Sequence, residues 1–281
     1  MTIMKILEFV DAHVESGRRT DISSISKYSG YSSRHIQRLF HCVTGMNIGE
    51  YVRRRRMTRA ALLLRLSVRT IADISLSLGF DSQQSFNREF KKMTGYAPRQ
   101  YRDAPCWPYK ALIGRIARSL YDFSETEVVF MDGGTITGQE IISWGCIPYS
   151  PENGTVEALV DHVFSAIAGA GHELWLVTEI KATSNGKYDY RVKSGLGIPG
   201  GKTGGDFPFR TGMYFKTTFE TTRETHMEQF HHIYLDLFME KKMDRVNGAD
   251  IMIFRREGER ILCTVFIPVV SAFFRHFRHL L

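Results

Sequence analysis

Two short stretches of the sequence carry arginine and glutamine at helical spacing. The first holds Arg34, Gln37 and Arg38, and the second holds Gln83, Gln84 and Arg88. An arginine can donate two hydrogen bonds to guanine, and a glutamine amide can pair with the major-groove edge of adenine. The same residue types are common on any solvated helix, so each stretch taken alone favours a plain surface. The elements that carry these side chains must therefore decide between the two interpretations.

Both stretches belong to a segment that occurs twice, with an offset of 49 to 50 residues. In each copy a pair of isoleucines precedes a glycine and an aromatic residue, Gly30-Tyr31 and then Gly79-Phe80. This order predicts a helix–turn–helix, because glycine ends a helix in the left-handed conformation and Ser32 or Asp81 can cap the next helix. A repeated turn with a repeated polar stripe favours DNA binding over two solvated faces.

The second helix of each copy is expected to bury the side opposite its polar stripe. The buried residues predicted are Ile36, Leu39, Phe40 and Val43 in the first copy, and Phe86, Phe90 and Met93 in the second. Residues 51–66 contain neither glycine nor proline and predict one connecting helix of about four turns. The run Arg53–Arg56 within it is expected to contact phosphates, with one or two members facing away from DNA.

Charge and composition separate the chain into two parts. Residues 1–110 hold 19 Lys/Arg and 9 Asp/Glu, whereas residues 111–281 hold 18 and 21. This division indicates a polyanion-binding part joined to a part with another task. The sequence has no apolar run of about 18 residues, so we expect no membrane span. Four widely spaced cysteines argue against a disulfide framework or a zinc site and fit a reducing cytoplasm.

The sequence also lacks a recognisable nucleophile–base pair, a phosphate-binding loop and a dinucleotide fingerprint. We therefore expect no enzyme activity, no cofactor and no metal.

Pro105 and Pro108 mark the end of the helical pattern. Beyond them, the order strand–helix–strand–strand is predicted twice, over 140–196 and 212–269. The predicted strands are 125–131, 140–146, 174–181, 188–196, 212–222, 249–255 and 260–269, and the predicted helices are 155–168 and 226–243. The resulting domains are a DNA-binding domain at 1–104, a linker at 105–121, a regulatory domain at 122–270 and an amphipathic tail at 271–281.

Residues 1–104 resemble the two-helix–turn–helix domain of the AraC/XylS transcription regulators, and within that family the MarA, SoxS and Rob group. The resemblance is carried by 30–40, 53–57, 79–91 and 94–102. It implies base contacts from Arg34, Gln37, Arg38, Gln83, Gln84 and Arg88, and phosphate contacts from Ser32, Arg53 and Arg102. Arg34 replaces a tryptophan usual in close relatives, which favours guanine or phosphate at that position.

The element order of 122–270 resembles a GyrI-like effector-binding domain, with Gly212-Met213-Tyr214 opening one strand and Val265–Val269 closing another. The expected fold class is thus an all-α double helix–turn–helix domain followed by an α+β domain of two β-α-β-β repeats. The resemblance implies a ligand cleft lined by aromatic rings near a carboxylate. The candidates are Trp144, Tyr149, Trp175 and Tyr214 for stacking and Glu179 for charge, with core packing as the alternative for each aromatic. Thr264 stands where ligand-binding relatives often place glutamate, which favours a neutral ligand or protein contacts.

The leading hypothesis is a sequence-specific transcription regulator, an activator, that inserts two helices into adjacent major grooves. Its expected partners are double-stranded DNA, RNA polymerase (implied by the resemblance) and a small-molecule effector, without a membrane. The alternative is an architectural or origin-binding DNA protein without ligand response. The tail 271–281 is expected to form a packed helix or a dimer contact rather than a membrane-surface helix. Two reading helices in one chain are compatible with binding as a monomer, and dimerisation through the second domain stays open.

Overall fold

The computed structural model describes residues 3–18, 20–109, 112–116, 123, 125–147, 154–184, 186–200 and 207–270. Tyr149 and the tail 271–281 lie outside these ranges. The chain divides into two compact units. The first unit comprises Met1–Ala104, Tyr109–Ser119 and Ile233–Lys242, and the second comprises Pro105–Pro108, Leu120–His232 and Met243–Leu281. The chain therefore passes from one unit to the other at several points, and the predicted boundary near residue 104 is one of them.

The main part of the first unit is helical. Its helices are α1 (Ile3–Glu15), α2 (Ile22–Ser29), α3 (Ser33–Thr44), α4 (Ile48–Leu66), α5 (Ile71–Ser77), α6 (Gln83–Thr94) and α7 (Pro98–Asp103). The pairs α2–α3 and α5–α6 are the two predicted helix–turn–helix copies. The 19-residue helix α4 connects them and begins three residues earlier than predicted.

One apolar cluster supports the first copy. It brings together buried side chains from α1 to α4, namely Ile6, Leu7, Val10, Val14, Ile25, Ile36, Phe40, Ile48, Tyr51 and Val52. Two expectations for α3 were wrong: Leu39 is half-buried and Val43 is 50% exposed. Leu39 borders the strip of the helix that Ile36 and Phe40 turn towards α1 and α4. Val43 continues that strip but lies in the last turn of the helix, so the covered part ends at Phe40.

The second copy differs from the prediction at its turn. Ser82, rather than Asp81, caps α6, because its hydroxyl accepts a hydrogen bond from the backbone N–H of Ser85 at 3.2 Å. The preceding helix α5 ends at Ser77, two residues before Gly79, whose φ of 73° still supplies the left-handed turn.

The second unit is built on an antiparallel sheet. Its strands are β1 (Cys106–Trp107), β2 (Thr126–Met131), β3 (Gly134–Gly145), β4 (Leu174–Ala182), β5 (Tyr190–Pro199), β6 (Phe207–Phe209), β7 (Gly212–Thr221), β8 (Arg245–Val246), β9 (Asp250–Glu257) and β10 (Arg260–Pro268). Eight of these form one sheet in the order β2-β7-β10-β9-β4-β5-β3-β6, while β1 pairs with β8. The helix α8 (Val156–Gly169) follows β3, and α9 (His226–His232) follows β7. The α+β prediction is confirmed.

The predicted helix 226–243 is interrupted and shorter. α9 passes into a π-helical stretch at Ile233–Leu237 and then into α10 (Phe238–Glu240). The π-helical stretch and α10 belong to the first unit, whereas α9 belongs to the second. A short π-helical insertion of this kind is frequent at functional sites.

Candidate nucleic-acid interface

α3 presents the first predicted stripe to solvent. Its N-terminus is capped by Ser32, whose hydroxyl accepts a hydrogen bond from the backbone N–H of His35 at 3.3 Å. Ile36 and Phe40 are fully buried and fix one face of the helix. The opposite, exposed side carries Arg34, Gln37 and Arg38. A helix held in this way leaves its long polar side chains free to enter a groove.

α6 presents the second stripe in the same manner. Phe86 and Phe90 are fully buried, and the aromatic series continues to Tyr101, whose ring centre lies 5.3 Å from that of Phe90. The exposed side carries Gln83, Gln84 and Arg88. All six side chains predicted to contact bases are therefore on solvent-facing helix surfaces.

Two members of the arginine run on α4 point outward. Arg53 is 58% exposed, and its Nε lies 3.5 Å from a carboxylate oxygen of Glu89 on α6. Arg54 pairs with Glu50 one helical turn earlier, at 3.9 Å. Phosphate contacts from this face are thus open to Arg53 and Arg54, each of which already has an acidic neighbour.

Arg55, in the same run, is buried with only 2% of its surface exposed. Its guanidinium lies 3.0 Å from Asp11 and 3.2 Å from Glu15, both on α1, and the Tyr51 hydroxyl donates to Asp11. Burial works to lower the pKa of Arg55, but the neighbouring acidic charges outweigh burial and raise the pKa. Arg55 therefore stabilises the first copy on its buried side, through α1. This agrees with the expectation that one or two arginines of the run face away from DNA.

Arg56 has a matching task in the second copy. Its guanidinium carbon lies 4.8 Å from the centre of the Phe80 ring, and its Nη2 donates to the Leu78 carbonyl. These contacts hold the turn between α5 and α6 against α4. Sequence reasoning missed this role, although the aromatic residue after Gly79 is the signal that could have indicated a cation–π partner.

Arg102 donates hydrogen bonds to the backbone carbonyls of Leu64, at 3.1 Å, and Arg69, at 2.6 Å. Burial lowers the pKa of its guanidinium. Arg65 donates to three further carbonyls in 101–104. These two arginines thus fasten the end of α4 to α7.

The surface between α3 and α6 forms an open groove of about 720 Å³. Its lining combines polar, charged and small residues from α3, the start of α4 and α6: Gln37, Asn47, Ile48, Gly49, Glu50, Arg53, Arg54, Glu89, Lys92 and Met93. Side chains from both predicted reading helices therefore border one continuous depression.

The linker segment 112–116 packs inside the first unit. Ile113 accepts hydrogen bonds from Thr58, at 2.9 Å, and from Arg55, at 3.2 Å, and its own N–H donates to Thr58. The next residue, Gly114, leaves no room for a side chain, because a Cβ atom there would lie 2.4 Å from the Leu235 carbonyl oxygen. The N–H of Arg115 donates to Asp236 at 2.6 Å.

The four effector candidates inside the described ranges lie on one face of the sheet. Trp144 pairs with Arg191, which pairs with Lys181, and Lys181 lies on the same face of β4 as Glu179 and Trp175. From Trp175 the pairing runs across β9 and β10 to Thr218, which shares a face of β7 with Tyr214. Trp175 and Tyr214 join one apolar cluster, in which Trp175 stacks on Phe209 with ring centres 5.9 Å apart. The Tyr214 hydroxyl donates to the Arg210 carbonyl at 2.7 Å.

The other two candidates sit apart from this cluster. Trp144 stacks on Tyr188 with ring centres 6.0 Å apart. Glu179 is 45% exposed and pairs with Lys181 at 2.7 Å, so it does not supply a buried carboxylate. Its exposure follows from its place near the end of β4, where the lysine two residues later shares the same face.

An apolar slot of about 70 Å³ lies on the other face of the sheet, under α8 and α9. Its lining residues are Val156, Leu159, Val160, Val163, Leu176, Thr178, Ile180, Tyr190, Val192, His226, Met227, Phe230, His231 and Met252. Burial, together with the nearby His231, lowers the pKa of His226 to about 4, so this imidazole is neutral at pH 7. None of the four effector candidates that the structure describes lines the slot.

Within the described ranges, no helix combines the length and apolar character needed to cross a membrane. The four cysteines, all within those ranges, are not joined by disulfide bonds.

A family model described as a helix-turn-helix domain matches residues 25–104, a stretch that contains α3 to α7. The F1 operon positive regulatory protein of Yersinia pestis is 29% identical over 274 residues, which are 96% of this chain and 88% of that protein. Regulatory protein SoxS of Salmonella typhimurium is 40% identical over 100 residues, which are 36% of this chain and 92% of SoxS.

The right origin-binding protein of Escherichia coli K12 is 42% identical over 105 residues, which are 37% of this chain and 36% of that protein. The relatives thus fall into two groups, matched either along both units or over the helical region alone. The second group includes SoxS, which is matched over almost its whole length. Together with the two capped helix–turn–helix copies, these matches show that the chain belongs to the AraC/XylS family of DNA-binding transcription regulators.

Proposed function

We propose that this regulator is a transcription activator that inserts α3 and α6 into adjacent major grooves on one face of DNA. The observation that carries the proposal is the pair of exposed polar stripes, each on a helix capped by serine and fixed by buried residues. Successive major-groove segments that face the same side of DNA are about 34 Å apart, which is one turn of the double helix. The relative that matches 96% of this chain is named a positive regulatory protein, which supports activation. Recruitment of RNA polymerase is the step that follows binding in this proposal.

Bases are read by Arg34, Gln37 and Arg38 in one half-site and by Gln83, Gln84 and Arg88 in the other. Phosphates are contacted by Ser32 at the start of α3, by Arg53 and by Arg102. Arg102 is partly exposed, and its two carbonyl contacts restrict the guanidinium to one orientation before DNA arrives.

The test begins with selection of an operator from a random DNA pool. Arg88→Ala is expected to weaken operator binding by about 1–3 kcal/mol and to relax preference in one half-site, because the fork to guanine is lost. Arg53→Ala serves as the matched control and should weaken binding to all sequences alike. Competition gel shifts measure both effects. Wild-type affinity and preference in the Arg88→Ala variant would exclude base reading by this residue.

The second candidate is an architectural or origin-binding role, favoured by the relative named as an origin-binding protein. That role predicts a small ratio of specific to non-specific affinity, strong DNA bending and no change in transcription. A reporter driven by the selected operator, measured beside circular-permutation gel shifts, separates the two functions.

We also propose that the second unit modulates DNA binding through the segment 112–116. This segment is bonded both to α4, through Ile113, and to the π-helical stretch that continues from α9, through Arg115. A ligand that displaces α9 would then change the support behind Tyr51 and Arg55. The slot under α8 and α9 is apolar, and its buried His226 is neutral, so its chemistry suits a small uncharged ligand. Because the slot holds only about 70 Å³, such a ligand would have to widen it by displacing α9.

Gly114→Ala tests this modulation. The added methyl group would meet the Leu235 carbonyl, so we expect the variant to release the π-helical stretch and to make transcription insensitive to the second unit. Gly171→Ala, at an exposed bend with open space around the Cβ atom, is the control. If reporter output in Gly114→Ala still matches wild type under every growth condition that changes wild-type output, this coupling is excluded.

A further inference from the structure

The groove between α3 and α6 carries acids on the surface where DNA is proposed to bind. Its basic side chains are Arg53, Arg54 and Lys92, and its acidic side chains are Glu50 and Glu89. The basic excess of this region is thus small, although residues 1–110 as a whole hold more than twice as many basic as acidic residues. Glu89 immediately follows Arg88 on the proposed reading helix.

Glu89 contacts Arg53 across the groove, with 3.5 Å between the carboxylate oxygen and Nε. The two side chains are 29% and 58% exposed. An ion pair this accessible contributes about 0–1 kcal/mol to stability, so the fold does not depend on it. The carboxylate nevertheless cancels one positive charge that would otherwise act on a phosphate.

We propose that Glu89 is a positioning residue that limits the phosphate contact of Arg53 and thereby sets the overall affinity for DNA. The inference rests on the proposed function, in which Arg53 contacts a phosphate. In the complex, Arg53 exchanges a carboxylate for a phosphate, and Glu89 is left beside a polyanion. Both changes oppose binding by the same amount on every sequence, because neither involves a base.

A glutamate on a recognition helix can instead accept a hydrogen bond from cytosine. The position of Glu89 favours the first role, since its carboxylate is turned towards Arg53 and lines the groove between the helices. Gln84 and Arg88, by contrast, are fully solvent-facing members of the stripe.

The experiment compares the full chain with its Glu89→Gln variant on the selected operator and on a scrambled duplex, by fluorescence anisotropy over a range of salt concentrations. We expect affinity for both duplexes to rise by about three- to tenfold at low salt, because one repulsive charge is removed and Arg53 is released. The slope of log affinity against log salt should steepen by up to about 0.9. The ratio of the two affinities should stay unchanged.

Two controls isolate the contact. Glu127→Gln removes a carboxylate that pairs with Lys216 at 2.7 Å in the second unit, and it should alter neither affinity nor slope. In an Arg53→Ala background, most of the effect of Glu89→Gln should disappear. Loss of operator affinity alone would identify Glu89 as a base reader and overturn the proposal, as would an undiminished rise without Arg53. A wild-type chain that binds both duplexes equally would instead contradict the proposed function, whatever Glu89 does.

Discussion

The two helix–turn–helix copies share their turns and caps but are supported by different physical means. The first copy is supported by a mainly aliphatic cluster, together with a buried guanidinium that pairs with two carboxylates. Behind the second stands a series of aromatic rings, with an arginine stacked on one of them. Neighbouring residues of one helix, Arg55 and Arg56, serve the two copies separately. The comparison shows that a duplicated scaffold keeps its surface geometry while its supporting contacts diverge.

The exposed stripes differ as well. The first stripe has two arginines and one glutamine, whereas the second has one arginine and two glutamines and is followed by Glu89. We therefore expect the first half-site to contribute more salt-sensitive affinity and the second to depend more on neutral hydrogen bonds.

The largest expected effect separates the supports of the two copies. Arg55→Ala leaves Asp11 buried without its charged partner and should lower the free energy of unfolding by about 3–5 kcal/mol. Arg54→Ala, which removes an exposed arginine from the same helix, should cost less than about 1 kcal/mol. Urea unfolding followed by circular dichroism measures both values. Equal losses would mean that the buried network does not support the first copy.

A smaller effect is expected from Arg56→Ala, which removes the contact with Phe80 and the hydrogen bond to the Leu78 carbonyl. The loss of unfolding free energy should be about 1–3 kcal/mol. Because these contacts hold only the second turn, footprinting should show weaker protection of one half-site and normal protection of the other. A uniform loss across both half-sites would show that the copies do not behave independently.

The smallest effect tests what the copies have in common. Ser32→Ala and Ser82→Ala each remove a helix cap and should each cost about 1 kcal/mol of unfolding free energy. Similar values would confirm that the caps are equivalent, despite the different supports behind them. A difference of more than about 1 kcal/mol between the two variants would contradict that equivalence.

Local signals were enough to predict the elements of both copies and most strands of the sheet. Glycine with an aromatic residue, polar capping residues and apolar spacing act over a few residues, so they can be read directly along the chain. The exact cap of α6 was missed by one residue, because Ser82 and not Asp81 supplies it. The burial of Arg55 could not be predicted in this way. Four consecutive arginines give no local reason for one to be buried, and the reason lies in Asp11 and Glu15, about 40 residues earlier. The same holds for Glu89, whose partner Arg53 is distant in sequence.

For the second unit, the strands were predicted from the sequence more accurately than the surroundings of the effector candidates. Alternation along β4 indicates that Trp175 and Glu179 share a face, but it does not show which rings fill the space above them. Phe209, on the short strand β6 next to a glycine-rich stretch, supplies the stacking partner of Trp175. The slot under α8 and α9 depends on how two helices pack on a sheet, and such packing has no signature in sequence.

The hydrogen bonds of Ile113 have a practical consequence for dissecting the protein. A fragment cut after Ala104, where the sequence suggests a natural end, would remove the carbonyl that Arg55 and Thr58 share. The DNA-binding part of such a fragment would be less stable than in the full chain. A loss of DNA binding would then be attributed wrongly to the absence of the second unit. Fragments that extend through Ile116 keep that carbonyl and the N–H that donates to the Tyr51 hydroxyl. Deletion studies of this regulator should therefore begin from the longer end point.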